Sequence, residues 1–340
     1  MLSLSTSLLP ESPLSLAEQV CWLLDGGIPG IVVGAEIDRE RLAALVQEVD
    51  GAGHCVTALE APRPHSSARN QHPRQRCPAL SAIEEAERRL AVDSLLDALE
   101  LADRYQIALV VVSPSHPGGH DPTADCHQLI TETQLKIDRA GSPDDPATAA
   151  QVKQWVDQQR QQLMRLTRPD GAAQQRQQKA RDSMLRSLDT ALERAAELGI
   201  ALALRESDRI GGFTDRSGFL DLYQIFRGAP LRFMPDPAAA ELLSTLLGLK
   251  TVTPLPEDLE LIEGCYLRDR LDLSFANLGD GDLDLSHQFG NYGAEDLRII
   301  ELSKGTTSQQ VREVASLCRA LGIDGSPPPQ PGDPFPIIGG

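Results

Sequence analysis

Apolar residues gather in eight short runs along the chain: 2–6 (LSLST), 30–34 (GIVVG), 54–61 (HCVTALEA), 107–115 (IALVVVSPS), 201–207 (ALALRES), 231–236 (LRFMPD), 262–269 (IEGCYLRD) and 297–303 (LRIIELS). Between the runs, apolar positions recur at helical intervals over 16–24, 39–49, 83–105, 183–198, 216–227, 237–247 and 308–321. The longest of the early stretches, 83–105, sets Val92, Leu95, Leu96 and Leu99 on one face. Gly199 and Gly322 follow two of the stretches, where a left-handed C-cap belongs. Strands that are apolar throughout, alternating with helices, imply a parallel sheet covered on both faces. Eight such units predict an α/β fold, a single closed (β/α)8 TIM barrel. A doubly wound open sheet is the alternative. The chain lacks a G-x-G-x-x-G after its first run, so the strongest cue for a dinucleotide fold is missing.

Two segments fall outside the alternation. The stretch 116–181 is too long for a simple strand-to-helix loop. Its opening, HPGGHDPTADCH, reads as loop, whereas 147–166 and the residues from 172 onward read as helix, interrupted at Pro169-Asp170-Gly171. Such an excursion suits a lid over the barrel rim or a contact between copies in a homo-oligomer. The tail 325–340 is rich in proline and glycine and reads as extended or disordered. The expected organisation is one barrel over 1–324, with the insertion, followed by the tail.

Composition narrows the function classes. Acids outnumber bases 49 to 32, for a formal charge of −17. Binding a phosphate backbone requires a continuous basic surface, so nucleic acid is not an expected partner. Aromatic residues make up only 4%, leaving little for base stacking. No run approaches the ~20 apolar residues of a membrane helix. The N-terminus has no basic region of the kind that opens a signal peptide. Six cysteines without a C-x-x-C pair suit a reducing compartment, and a cytoplasmic protein is expected.

The ends of the later runs carry a resemblance. LERAAELGIALALRES is similar to a helix, a glycine and a strand that would end Leu-Glu-Asn. LRFMPDPAAA ends in an aspartate, and GCYLRD stands where His-Leu-Lys-Asp would be usual. LGDGDLDL and DLRIIEL resemble a Gly-x-Gly loop and a last strand with a terminal glutamate. In this order and spacing the chain resembles the xylose isomerase-like barrels, which include sugar and sugar-phosphate isomerases and epimerases and the endonuclease IV group. The resemblance spans most of the barrel and excludes 116–181 and the tail.

That resemblance implies a divalent metal (Mn, Mg, Zn or Co) at the C-terminal mouth, held by acids and a histidine from the last four strands. It also implies a small polyhydroxylated ligand there, with flanking carboxylates moving protons. Carried over residue by residue, the set is broken. Asp236 and Glu301 stand at the expected acid positions, as metal ligands or as an acid/base pair. Arg205 replaces the glutamate of the fifth strand, Tyr266 stands at the histidine position, and Ala239 replaces the histidine that often follows the aspartate. A bulge in the fifth strand would turn Glu206 inward instead and make it the third catalytic acid. Against this, Leu202 and Leu204 alternate cleanly with Arg205.

The alternative is electrostatic. Two carboxylates ~4 Å apart repel by about 4 kcal/mol at an effective dielectric of about 20, so a cation must offset them. A planar guanidinium does this through paired hydrogen bonds, which would place Arg205 where the metal would stand. The protein would then be a metal-free binding or complex-forming member of the fold. Otherwise the three residues form a structural ion-pair network at the rim. Glu60, Arg63, Arg205, Tyr266 and Asp269 are the candidate ligand contacts at the mouth. The basic loop with Arg63, His65, Arg69, His72, Arg74 and Arg76 would steer a phosphate or else be a solvated loop. His116, His120, Asp121, Cys126 and His127 match no standard zinc spacing. His287 is a positional candidate for the missing imidazole.

Overall fold

Every one of the eight apolar runs contributes a strand to one parallel sheet. The computed structural model describes residues 1–6, 27–35, 37, 39–61, 79–112, 122–140, 145–168, 170–247, 260–289, 292, 296–302 and 306–323. The strands are β1 (Leu2–Ser5), β2 (Gly30–Val33), β3 (Cys55–Ala61), β4 (Leu109–Val112), β5 (Ala201–Arg205), β6 (Leu231–Met234), β7 (Gly264–Leu267) and, after a hairpin, β10 (Leu297–Ile300). Their order is β6-β5-β4-β3-β2-β1-β10-β7. A parallel bridge between Phe233 and Ile262 and the bond from the Tyr266 amide to the Pro235 carbonyl (2.9 Å) bring the two outermost strands together. The sheet therefore curls into a barrel.

The period-2 alternation of each strand divides the core into two layers. Val32, Ala58, Val111, Ala203, Met234, Tyr266 and Ile299 pack together inside the barrel. Leu59, Val110, Val112, Leu202, Leu204, Leu267 and Ile300 belong to the larger cluster beneath the helices. The inner layer mixes small and large side chains, as a narrow lumen requires. At Gly264, paired with Leu297, an added Cβ would run into the Leu297 carbonyl, so close strand approach demands glycine there.

The helices are α1 (Arg39–Gly51), α2 (Glu85–Arg104), α3 (Pro122–Asp138), α4 (Pro146–Thr167), α5 (Gly171–Leu198), α6 (Arg216–Ile225), α7 (Pro237–Leu247), α8 (Leu285–Phe289) and α9 (Ser308–Ala320). Gly199 closes α5 with φ 69°, its amide reaching the Ala195 and Ala196 carbonyls. Thr307 and Gln310 form a reciprocal capping box at α9.

Three features depart from the sequence expectations. The end of the presumed loop HPGGHDPTADCH is the first turn of α3, which buries only Cys126 and Thr133 and so shows little apolar periodicity. The insertion's last helical part and the helix before β5 are one 28-residue helix, α5, capped by the Asp170 side chain on the Ala173 amide. Residues after β7 form an antiparallel hairpin, β8 (Asp269–Leu271) and β9 (Ser274–Ala276). The helical stretch 16–24 and the tail 325–340 lie outside the described residues. No helix among the described residues is long and apolar enough to cross a membrane.

Candidate functional site

Strand register decides what reaches the mouth. β5 pairs with β4 and β6 without a break, Arg205 lying opposite Met234, so no bulge turns Glu206 inward. Arg205 shares the inward phase of Ala201 and Ala203, and it emerges at the C-terminal end of the strand. Asp236 follows β6 by two residues and Glu301 follows β10 by one.

Arg205 lies between the two acids. Its Nη1 donates to Glu301 Oε1 at 3.0 Å and its Nη2 donates to Glu301 Oε2 at 2.5 Å and to Asp236 Oδ2 at 2.9 Å. A second guanidinium completes the group. Arg268, the residue after β7, donates from Nε to Asp236 Oδ1 at 3.0 Å, with Nη2 2.6 Å from Asp236 Oδ2 and Nη1 3.1 Å from Glu301 Oε2. Two carboxylates thus face two guanidiniums, and the four formal charges cancel.

Asp236 is saturated. Besides the arginines, its Oδ1 accepts the Ala239 amide at 3.1 Å, so Asp236 also caps α7. The helix dipole adds to the stabilisation of its charge. Burial opposes ionisation of this fully buried carboxylate, but Arg268 and then Arg205 outweigh it and lower its pKa. Glu301 is lowered in the same manner, burial being overcome first by Arg205 and then by Arg268.

Glu206 behaves in the opposite way. Its Oε2 accepts the Asp236 amide at 2.9 Å, tying the ends of β5 and β6 together. Burial first, with the neighbouring Asp236 and Asp215 charges, pushes its pKa up to about 8. At neutral pH it is chiefly a neutral carboxylic acid.

Below the ion pairs lies Tyr266. The Arg205 guanidinium sits 3.7 Å from its ring centroid, a cation–π stack, and its hydroxyl donates to Glu60 Oε1 at 2.6 Å. Asp269 is turned away from the acids. Its two oxygens accept the amides of Arg270, Gly279, Gly281 and Leu283, which locks the Gly-x-Gly loop onto the hairpin. His287 is exposed on α8. Arg63, the basic loop around it, His116, His120 and Asp121 lie outside the described residues. Cys126 is buried in an apolar cluster beneath the insertion.

Arg268 escaped the sequence reading. Its one available signal was its place two residues after Tyr266, in the same strand phase and one level nearer the mouth.

These residues do not suit a metal. Each carboxylate is already bound by two guanidiniums, and Asp236 has all four of its acceptor positions occupied. Among the described residues, no group of three or more His, Cys, Asp or Glu converges as a ligand set. A dication placed ~4 Å from each guanidinium would meet repulsion of roughly 8 kcal/mol per arginine at an effective dielectric of about 20.

No family model and no curated protein matches the sequence. Solved structures do share its fold. The 3-keto-D-glucoside 4-epimerase from E. coli superposes with a TM-score of 0.60 at 12% identity, over 94% of this chain and 98% of that one. A xylose isomerase domain protein from Planctomyces limnophilus gives 0.55 at 14%, covering 94% and 95%. A D-tagatose 3-epimerase-like protein gives 0.56 at 15%, covering 95% and 97%. The fold that they share with this chain is the (β/α)8 barrel.

Proposed function

We propose that this protein is a metal-independent member of the sugar-epimerase-like barrels, binding a small polyhydroxylated ligand at its C-terminal mouth. One observation carries the reading: Arg205 and Arg268 engage both carboxylates that a metal would need. The guanidinium pair supplies the two positive charges of a divalent cation, but it offers hydrogen-bond donors in place of an open Lewis-acid position.

The group is partly open. The Arg205 side chain retains 14% of its exposure and that of Glu301 19%, while Asp236 is sealed. Guanidinium donors and the Glu301 carboxylate lie side by side at the mouth. A vicinal diol suits such a pair, because each hydroxyl both donates and accepts. A neutral polyol also leaves the charge balance of the four side chains undisturbed. The structures that share the fold and carry sugar-epimerase names add support to a sugar-like ligand. Retained carbonyl-polarising chemistry would be weak, since a guanidinium stabilises developing charge only by hydrogen bonding and charge.

Isothermal titration calorimetry of the full chain against a panel of neutral monosaccharides and polyols, with and without EDTA, tests the reading. The expected result is saturable binding of one such class, unchanged by EDTA and abolished in Arg205→Met. Binding that requires added Mn²⁺, or silence across the panel, would overturn it.

A further inference from the structure

The residues just outside the ion pairs join the site to the insertion. Cys126, Leu163, Ile210, Leu242 and Leu246 form a buried apolar cluster distinct from the main core, with Leu129, Ile130, Leu273 and Phe275 packed against it. Its members come from five places: α3, α4, the loop after β5, α7 and the β8–β9 hairpin. Three of these continue directly from site residues. The loop follows Arg205 and Glu206, α7 begins after Asp236, and the hairpin begins after Arg268. The Ile210 amide also donates to Thr123 Oγ1 on α3 at 3.0 Å.

Phe275 belongs to this cluster and to the site at once. The Arg268 guanidinium carbon lies 3.3 Å from its ring centroid, while the guanidinium edge grips Asp236 and Glu301. Contact therefore runs from α3 and α4 through the apolar cluster, which includes α7, to Phe275, and from there to Arg268 and both carboxylates.

We propose that α3 and α4 form a cap latched by Arg268 through Phe275, and that opening this cap admits ligand to Asp236 and Glu301. The ligand part rests on the binding function proposed above; the latch stands on the contacts alone. Phe275 acts as a positioning residue. It presents a π face that holds the guanidinium level with the two acids. Because opening the cap and loosening Arg268 are linked, a change at either one shifts the other. Few apolar side chains seal the insertion, so it opens at a lower free energy than the barrel.

Cys126 offers a native reporter, being fully buried in the cap seam, whereas Cys265 and Cys318 are buried in the main core. Alkylation of the ligand-free full chain by iodoacetamide, resolved by peptide mass, measures cap opening separately from global unfolding. Cys126 is expected to react well before Cys318. Phe275→Leu, which keeps an apolar side chain but removes the ring, is expected to speed Cys126 labelling about five- to tenfold. Phe275→Trp, which restores a π face, is expected to return the rate to that of the native chain. Arg268→Ala is expected to speed Cys126 at least as much as the leucine variant, and Cys265 and Cys318 are expected to keep their native rates in both Phe275 variants. If Arg268→Ala does not fold, the Phe275 pair decides the matter, since both variants leave the charges intact. Unaltered Cys126 labelling in Phe275→Leu, or all three thiols accelerating together in that variant, would overturn the latch. Failure of the calorimetry with the labelling pattern intact would reject the ligand class and leave the cap standing.

Discussion

Arg205 lies flat on Tyr266, its guanidinium carbon 3.7 Å from the ring centroid, so the side chain that neutralises the mouth is also stacked on the barrel interior. Tyr266 passes that constraint downward by donating its hydroxyl to the buried Glu60. Stack and hydrogen bond together restrict Arg205 to the narrow range of positions from which it reaches both acids.

Tyr266→Phe should keep the stack but remove the hydroxyl that Glu60 accepts. Leaving a buried group short of a donor costs about 1–3 kcal/mol. Urea denaturation should show a loss of that size, with the midpoint lowered and the slope unchanged. No loss at all would mean that Glu60 is satisfied without Tyr266.

Removing either guanidinium should cost more. Arg205→Ala or Arg268→Ala leaves Asp236 buried with half its counter-charge, and breaking one partner of such a buried pair costs about 3–5 kcal/mol. Chemical melts of both variants provide the measurement. A cost near that of an exposed salt bridge, about 1 kcal/mol or less, would show the ion pairs to be solvated rather than structural.

Restoring ligand types should restore a metal. Arg205→Glu combined with Arg268→His turns two fixed cations into an anion and a neutral imidazole beside Asp236 and Glu301. Plasma mass spectrometry after a Mn²⁺ soak should find about one ion per chain in this double variant and none above background in the native protein. Chelator should leave the native melting temperature unmoved. A tightly held ion in the native chain would sink the assignment of the arginines.

The acids of the mouth set opposite pH dependences. Glu206 has a native pKa of about 8 against 4.5 unperturbed, so the native state binds its proton more tightly and stability falls as pH rises through that window. At 1.36 kcal/mol per unit the loss has an upper bound of roughly 5 kcal/mol. Glu206→Gln should flatten this fall and be more stable than the native chain at pH 9. Asp236 and Glu301 have lowered values, so their contribution is present above the ordinary carboxylate range and disappears as pH falls through their native pKa. Denaturation midpoints followed from pH 3 to 9 separate the two effects.

The barrel was legible in the chain because its signal is local and repeated. Eight apolar runs at α/β spacing became eight parallel strands, and the helical stretches over 237–247 and 308–321 match α7 and α9 to within a residue. Strand phase was legible for the same reason. Leu202 and Leu204 alternate with Arg205, and that alternation alone put the guanidinium on the inner face with Asp236 and Glu301. The start of α3 was not legible, because a helix that buries only Cys126 and Thr133 leaves almost no apolar period to read.

Arg268 and Phe275 belong to the tertiary structure alone. Strand phase would place Arg268 on the inward side of the mouth, but its approach to Asp236 follows from the barrel closing between β6 and β7, a junction made by one bridge and a few backbone bonds. The ring of Phe275 meets Arg268 only because the chain folds back as β8–β9, anchored by four amides on Asp269. The sequence by itself determined the period-2 and period-3.6 patterns, hence the strands, their inward faces and the acids at their ends. That Arg268 joins Arg205 in neutralising those acids depended on closure of the ring, and its stack on Phe275 depended on a long-range turn. Local periodicity carries no record of either, because both depend on contacts between residues far apart in the chain.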